Sequence, residues 1–204
     1  MAILTGTKIL EEVRNGSISI DPFNKSQLNP NSYNLKLSKF LKTYRLSSTY
    51  DNLERFRHME KVLKSMSFYD EIILDSHREN PTEDFEIPES GFLLQPGILY
   101  LGSTVERTYT DKYVPILSGR SSVGRHGMTI HVTAGFGDIG FSGTWTLEIV
   151  VTHNLVVYPN DEVCQIYFET CEGNADYQYD GRYNNQNGVV ASRFAVPKRG
   201  EFNL

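Results

Sequence analysis

The chain has 204 residues and a formal charge of -5, with 39% apolar and 22% charged side chains, which fits one soluble domain large enough to bury a core. That acidic balance speaks against a nucleic-acid scaffold, because polyanion binding shows as a basic excess, yet a few local arginines still suffice for a small anionic ligand. No apolar run approaches the roughly 20 residues of a membrane span, MAILTGTKILEEV has no leader pattern, and two cysteines, Cys164 and Cys171, are too few for a disulfide framework. A cytoplasmic, reduced protein is expected.

In chain order, Thr7 to Asn15 reads as a short helix. Thr5 or Thr7 can cap it, Ile9, Leu10 and Val13 form a stripe, and Gly16 stands where the helix must end. Residues 17–23 read as a short strand stopping near Pro22, and 32–44 as another. Residues 51–66 read as a helix, since Asp51 and Glu54 fit a capping box and Leu53, Phe56, Leu63 and Met66 share a face. From there to about Ser90 the chain is polar and loop-like. Gly91 to Glu169 changes to short β-rich runs at the spacing of a sandwich or barrel: two runs around a Pro-Gly turn in FLLQPGILYLGSTVE, then MTIHVTAG, TWTLEIVV, LVVYP and EVCQIYFET. The tail from Gly173 has no core pattern. The expected architecture is one all-β domain with short N-terminal helices: an N-terminal part with a helical insert (1–90), a β core (91–172) and a mobile tail (173–204).

Chemistry-bearing residues concentrate in Ser118 to Glu148. In TWTLEIVV the alternation puts Trp145, Leu147, Ile149 and Val151 on one face and Thr144, Thr146, Glu148 and Val150 on the other. A carboxylate in the middle of so apolar a strand needs partners or a task, or else it faces water from a half-exposed sheet. GRSSVGR (119–125) offers arginine forks and hydroxyls suited to phosphate oxygens, though a polar hairpin turn has the same composition. Asp138 among three glycines is a candidate site residue or a turn former, and His131 reads as a packed, hydrogen-bonded histidine. The histidines and cysteines show no metal spacing and no His-x-Glu motif, which excludes a zinc-dependent deaminase site. No phosphate-loop or dinucleotide fingerprint is present.

Taken together, IDPFNKSQLNPNSYNLKL, GFLLQPGILYLGSTVE, GRSSVGR, HVTAGFGDIGFSG, TLE and RYNNQNGVVASR resemble the dCTP deaminase family, the zinc-independent branch of the dUTPase-like superfamily. The resemblance implies a distorted β-barrel or jelly-roll of dUTPase-like type and a homotrimer with sites between subunits. It implies Glu148 as the general base that drives water onto C4 of cytosine, with Ser121, Arg125 and the Ala134 carbonyl positioning that water. Arg120, Ser121, Ser122, Val123, Gly124 and Arg125 match the triphosphate cradle. Asp138 matches the contact to the sugar 3′-hydroxyl, Phe141 the floor under the sugar, Thr146 and Leu147 the backbone contacts to the base, and Gln165 a further polar contact. Arg182 and Gln186 match tail residues that close on the nucleotide, with Tyr177 or Tyr179 touching phosphate. A magnesium ion carried by the triphosphate is implied, with no zinc and no metal ligand from the protein. Gly135-Phe136 resembles the members that convert dCTP directly to dUMP, ammonia and diphosphate. Gly137, Ile139, Asn34 and Arg182 depart from the residues usual in the family at those places. The alternatives are a dCTP deaminase that stops at dUTP, a dUTP diphosphatase, or a non-catalytic nucleotide sensor.

Overall fold

Helix α1 (Gly6–Asn15) forms where its caps allow. Thr5 is extended and its Oγ1 accepts from the Lys8 N–H at 3.2 Å, and Gly16 closes the last turn at a φ of 83° that L side chains avoid. Ile9 is fully buried. Beside it, Glu12 is also buried, with the Lys8 ammonium 2.7 Å and the Lys112 ammonium 3.7 Å from its carboxylate. Lys8, followed by the Ser17 hydroxyl and Lys112, holds this carboxyl below the usual range against the opposing effect of burial. Glu12 therefore ties the helix to the turn after the longest strand.

The computed structural model describes residues 2–45 and 74–196, so the helix expected over 51–66 lies outside the described residues. Eleven strands are described: β1 (Ile18–Asp21), β2 (Tyr33–Lys36), β3 (Phe40–Tyr44), β4 (Thr82–Glu86), β5 (Phe92–Leu94), β6 (Tyr100–Thr110), β7 (Val114–Gly119), β8 (Met128–Thr129), β9 (Ser142–Val151), β10 (Leu155–Val157) and β11 (Glu162–Glu169). The main sheet runs β4-β3-β6-β9-β8, with β1 also on β6; β2-β11-β7 form a second sheet and β5-β10 a third. The predicted all-β class stands, but the sheets stay open and do not close into a barrel. Leu35 and Leu41, Leu147 and Ile149, and Ile166 and Phe168 meet in one core, all at most 1% exposed.

Four expectations change in detail. The run 32–44 is two strands, because at Leu37 the backbone turns to Asp161 and Thr104 and at Ser38 to Ser103. The runs around Pro96-Gly97 do not pair with each other; β5 takes β10, and β6 takes β1, β3 and β9. Only Met128 and Thr129 of MTIHVTAG form a strand, after which Gly135 and Gly137 hold the chain against β7 through Leu117 N–H to Gly135 C=O (2.7 Å) and Gly137 N–H to Pro115 C=O (2.9 Å). GRSSVGR is a short helical turn, α2 (Ser121–Arg125), and not a hairpin.

Replacing Glu12 by glutamine tests the helix anchor. A carboxyl whose pKa is lower folded than unfolded adds stability above its unfolded value, about 4.3, and loses it as pH falls through the folded one. Glu12→Gln is expected to unfold at lower urea than wild type at pH 7, with the gap closing as the pH drops below about 4; a gap independent of pH contradicts the ionic anchor.

Candidate active site

The two-residue period of β9 sends Trp145, Leu147, Ile149 and Val151 into the core and leaves Ser142, Thr144, Thr146 and Glu148 on the outer face. The C-terminal tail lies along this row. Asn185 N–H donates to Ser142 C=O (2.7 Å), Thr144 N–H to Gln186 C=O (3.2 Å), and the Gln186 Nε2 to Thr144 C=O (2.6 Å). Thr144 Oγ1 then donates to Gly188 C=O (3.2 Å), and Val190 N–H to Thr146 Oγ1 (3.4 Å). The tail thus runs parallel to β9, with a bridge at Gly143 and Gln186. The segment predicted to lack a core role is held by polar bonds at every second residue of β9.

Glu148 is the next position in this row. Its N–H donates to Ile130 C=O at 2.7 Å, but no hydrogen bond or ion pair among the described residues reaches its half-buried carboxylate. Between the tail at Thr144 and Ile130 at Glu148, the same alternation turns the Thr146 N–H and C=O away from β6 into the gap. Among the described residues, an open backbone donor and acceptor therefore stand one step from a free carboxylate.

That gap opens into a cleft of about 350 Å³. Of the predicted site residues, Ala134, Phe136, Asp138, Phe141, Thr146 and Glu148 line it, together with Tyr179 and Gln186 from the tail. Phe141 is packed by Trp145 (ring centroids 5.0 Å) and Tyr179 (5.9 Å), a rigid aromatic floor. Tyr179 lines the cleft, whereas Tyr177 is 60% exposed and not in its wall. Gln186 is buried, and its Oε1 has no donor among the described residues.

Other predicted residues lie elsewhere in the chain. None of Arg120, Ser121, Ser122, Val123, Gly124 and Arg125 lines the cleft. Ser121, Ser122 and Arg125 project into solvent from α2 with no side-chain hydrogen bond or ion pair among the described residues. Arg120 is paired with Glu162 at 2.7 Å, and Glu162 also accepts from Asn34 at 2.8 Å. Gln165 bonds Ser32 (2.7 Å) and Gly119 C=O (3.4 Å), close to α2. Leu147 is fully buried and paired with Gly102, and it does not line the cleft, whereas Thr146 does. Arg182 donates from Nε to Val196 C=O (2.6 Å) and stacks on Phe194 instead of facing the cleft. His131 donates from Nε2 to Leu117 C=O (3.1 Å), as a packed histidine. Among the described residues no group of three His, Cys, Asp or Glu is placed to hold a metal ion.

Sequence reading missed the far wall of the cleft: Tyr44, Leu99, Leu101, Val190, Ala191 and Ser192. Tyr44 OH accepts from Ser192 N–H at 3.3 Å, closing tail onto strand. No local pattern joins residues so distant in sequence.

Residues 3–171 match the model of a family described as dCTP deaminase-like. The chain belongs to the dCTP deaminase-like family. It is 46% identical over 190 residues, 93% of this chain and 95% of the relative, to a Hathewaya histolytica protein named dCTP deaminase, dUMP-forming. A Clostridium beijerinckii protein of the same name is 47% identical over the same shares. The fold is similar to the crystal structure of 2′-deoxycytidine 5′-triphosphate deaminase from Agrobacterium tumefaciens, with a TM-score of 0.57 at 18% identity, covering 83% of this chain and about half (48%) of that one.

The dCTP deaminase-like cleft also gives its glycines a steric reason. A Cβ on Gly137 would sit 2.4 Å from the Trp145 ring and 2.9 Å from Pro115 C=O; one on Gly135 would sit 2.5 Å from Leu117 C=O. A branched residue at 137 therefore pushes on the aromatic floor. Gly137→Val is expected to lower unfolding free energy by about 1–3 kcal/mol, an overpacking cost, measured by urea titration; an unchanged midpoint contradicts this contact.

Proposed function

We propose that this chain is a dCTP deaminase that carries its substrate on to dUMP. The observation that bears the most weight is Glu148: a carboxylate without a partner among the described residues, in the wall of a cleft whose edge offers the Thr146 N–H and C=O. Those two groups suit the edge of a pyrimidine, and the ring packing of Phe141, Trp145 and Tyr179 suits a sugar. Relatives sharing nearly half their residues are named for this activity, which supports the same reading.

In the first step Glu148 takes a proton from water, the oxygen adds to C4 of cytosine, and the proton passes to the amino group as ammonia leaves. One carboxylate serves both transfers if the water is held beside it. Ala134 C=O lines the same cleft and suits that task. A second water then attacks the α-phosphate, with Asp138 helping to orient it, giving dUMP and diphosphate. The balance is dCTP plus two waters to dUMP, ammonia and diphosphate. Gly135-Phe136 lets the chain pass close to β7 while Phe136 faces the cleft.

The triphosphate needs cations and donors, and among the described residues no Lys or Arg lines this cleft. Ser121, Ser122 and Arg125 present them on α2, outside the cleft and unengaged, so in this reading a second copy supplies them and the working form is a homotrimer. Val132 and Phe136, 79% and 68% exposed beside the site, are apolar surface of the kind that an interface covers. Arg120, steadied by Glu162, joins this cradle, with Val123 and Gly124 giving backbone contacts and Gln165 supporting the loop. Magnesium comes with the substrate: the cradle's donors are cationic and hydroxyl groups, which ligate phosphate and leave the ion to the phosphate oxygens. It offsets charge on the triphosphate when bound. A cytoplasmic setting belongs to the same reading.

Incubation with dCTP and magnesium, resolved by product, tests it. Ammonia, dUMP and diphosphate in equal amounts are expected; lasting dUTP contradicts the second step, and no ammonia from dCTP with cleavage of dUTP makes the chain a diphosphatase. Glu148→Gln is expected to cut deamination by about 10²–10⁴-fold with an unchanged thermal midpoint, and retained activity overturns the role given to Glu148.

A further inference from the structure

Arg107 belongs to no predicted motif, yet its guanidinium is where three segments meet. On β6 it stands opposite Thr144 of β9, so both side chains leave the sheet on the face that carries the tail. Its Nη2 donates to Ser142 Oγ (2.9 Å) and to Asn185 Oδ1 (2.8 Å), and its Nη1 approaches Gln186 C=O (3.4 Å). Among the described residues it has no carboxylate partner, so this cation divides its fork between Ser142 of β9 and the tail. Asn185 is held there at a φ of 60°, a left-handed conformation, and Asn184 Oδ1 adds a bond from Ser142 N–H at 3.1 Å.

The position of this contact matters. It fixes residues 185 and 186, immediately before the stretch whose Val190, Ala191 and Ser192 form the cleft wall. A slip of one residue along β9 would swap which tail side chains face the cleft and which face away, taking Gln186 from its place.

We propose that Arg107 is a positioning residue: it sets the register of the tail on β9 and thereby places Gln186 for nucleotide capture. This rests on the deaminase reading of the cleft. With the anchor lost, only a fraction of molecules hold the tail in place, and apparent affinity falls by that fraction while turnover of bound substrate is kept.

The experiment compares wild type, R107M and R107K in dCTP turnover and in tryptic cleavage after Arg182 without nucleotide. R107M is expected to raise KM for dCTP about tenfold, with kcat within about twofold and faster cleavage at Arg182; R107K, with a point charge in place of the fork, is expected between the two. A fall in kcat at constant KM, or unchanged KM and cleavage, overturns the proposal. Should R107M fail to fold, N185G removes the same acceptor while tolerating the φ of 60° and carries the same expectation. Absence of dCTP turnover in wild type rejects the deaminase reading; the tail anchor is then decided by cleavage alone, faster in R107M supporting it and unchanged overturning it.

Discussion

The candidate site hangs on the two-residue period of β9. One strand buries Trp145, Leu147, Ile149 and Val151 in the core and, by the same geometry, must present Ser142, Thr144, Thr146 and Glu148 in a row outside. The buried half resists a slip, since a shift of one residue would turn four large apolar side chains into solvent. That resistance fixes the outer row with the rigidity of the core. The Glu148 carboxylate placed there is held by packing it does not itself touch.

The outer row is divided in use. Its first three members hold the tail through backbone and hydroxyl groups, and the last is left to the cleft. Among the described residues nothing cationic lines that cleft, while α2 displays two serines and an arginine whose side chains have no partner among them. Both halves look incomplete alone and complementary together: a carboxylate with an apolar floor on one side, phosphate donors on the other.

Features written in local pattern were legible from sequence. Thr5 and Gly16 bound α1, and the alternation through TWTLEIVV fixed which way Glu148 faces. Motif resemblance found Asp138, Phe141 and Gln186, which the cleft does gather. The split of 32–44 into two strands was hidden, because apolar alternation continues through Leu37 while the pairing partner changes. The tail was read as lacking a core role because its anchors are Asn185, Gln186 and Gly188, polar groups bonding to backbone with no apolar period. Tyr44, Leu99 and Arg107 acquire their places only through contacts across the sheet, and no spacing encodes those. Gly135 carried a reading tied to reaction type; the coordinates add a steric demand from Leu117 that holds whichever product forms.

Subunit complementation is the most direct measurement of whether the site is shared. Glu148→Gln and Arg125→Ala subunits, each inactive alone, are mixed, denatured together and refolded. In a trimer with each site between two copies, random mixing leaves about one quarter of sites with both side chains intact. Recovery of about a quarter of wild-type deaminase activity is the expected result. A mixture as inactive as its parents, with mass spectrometry showing mixed trimers, contradicts a site built from two copies.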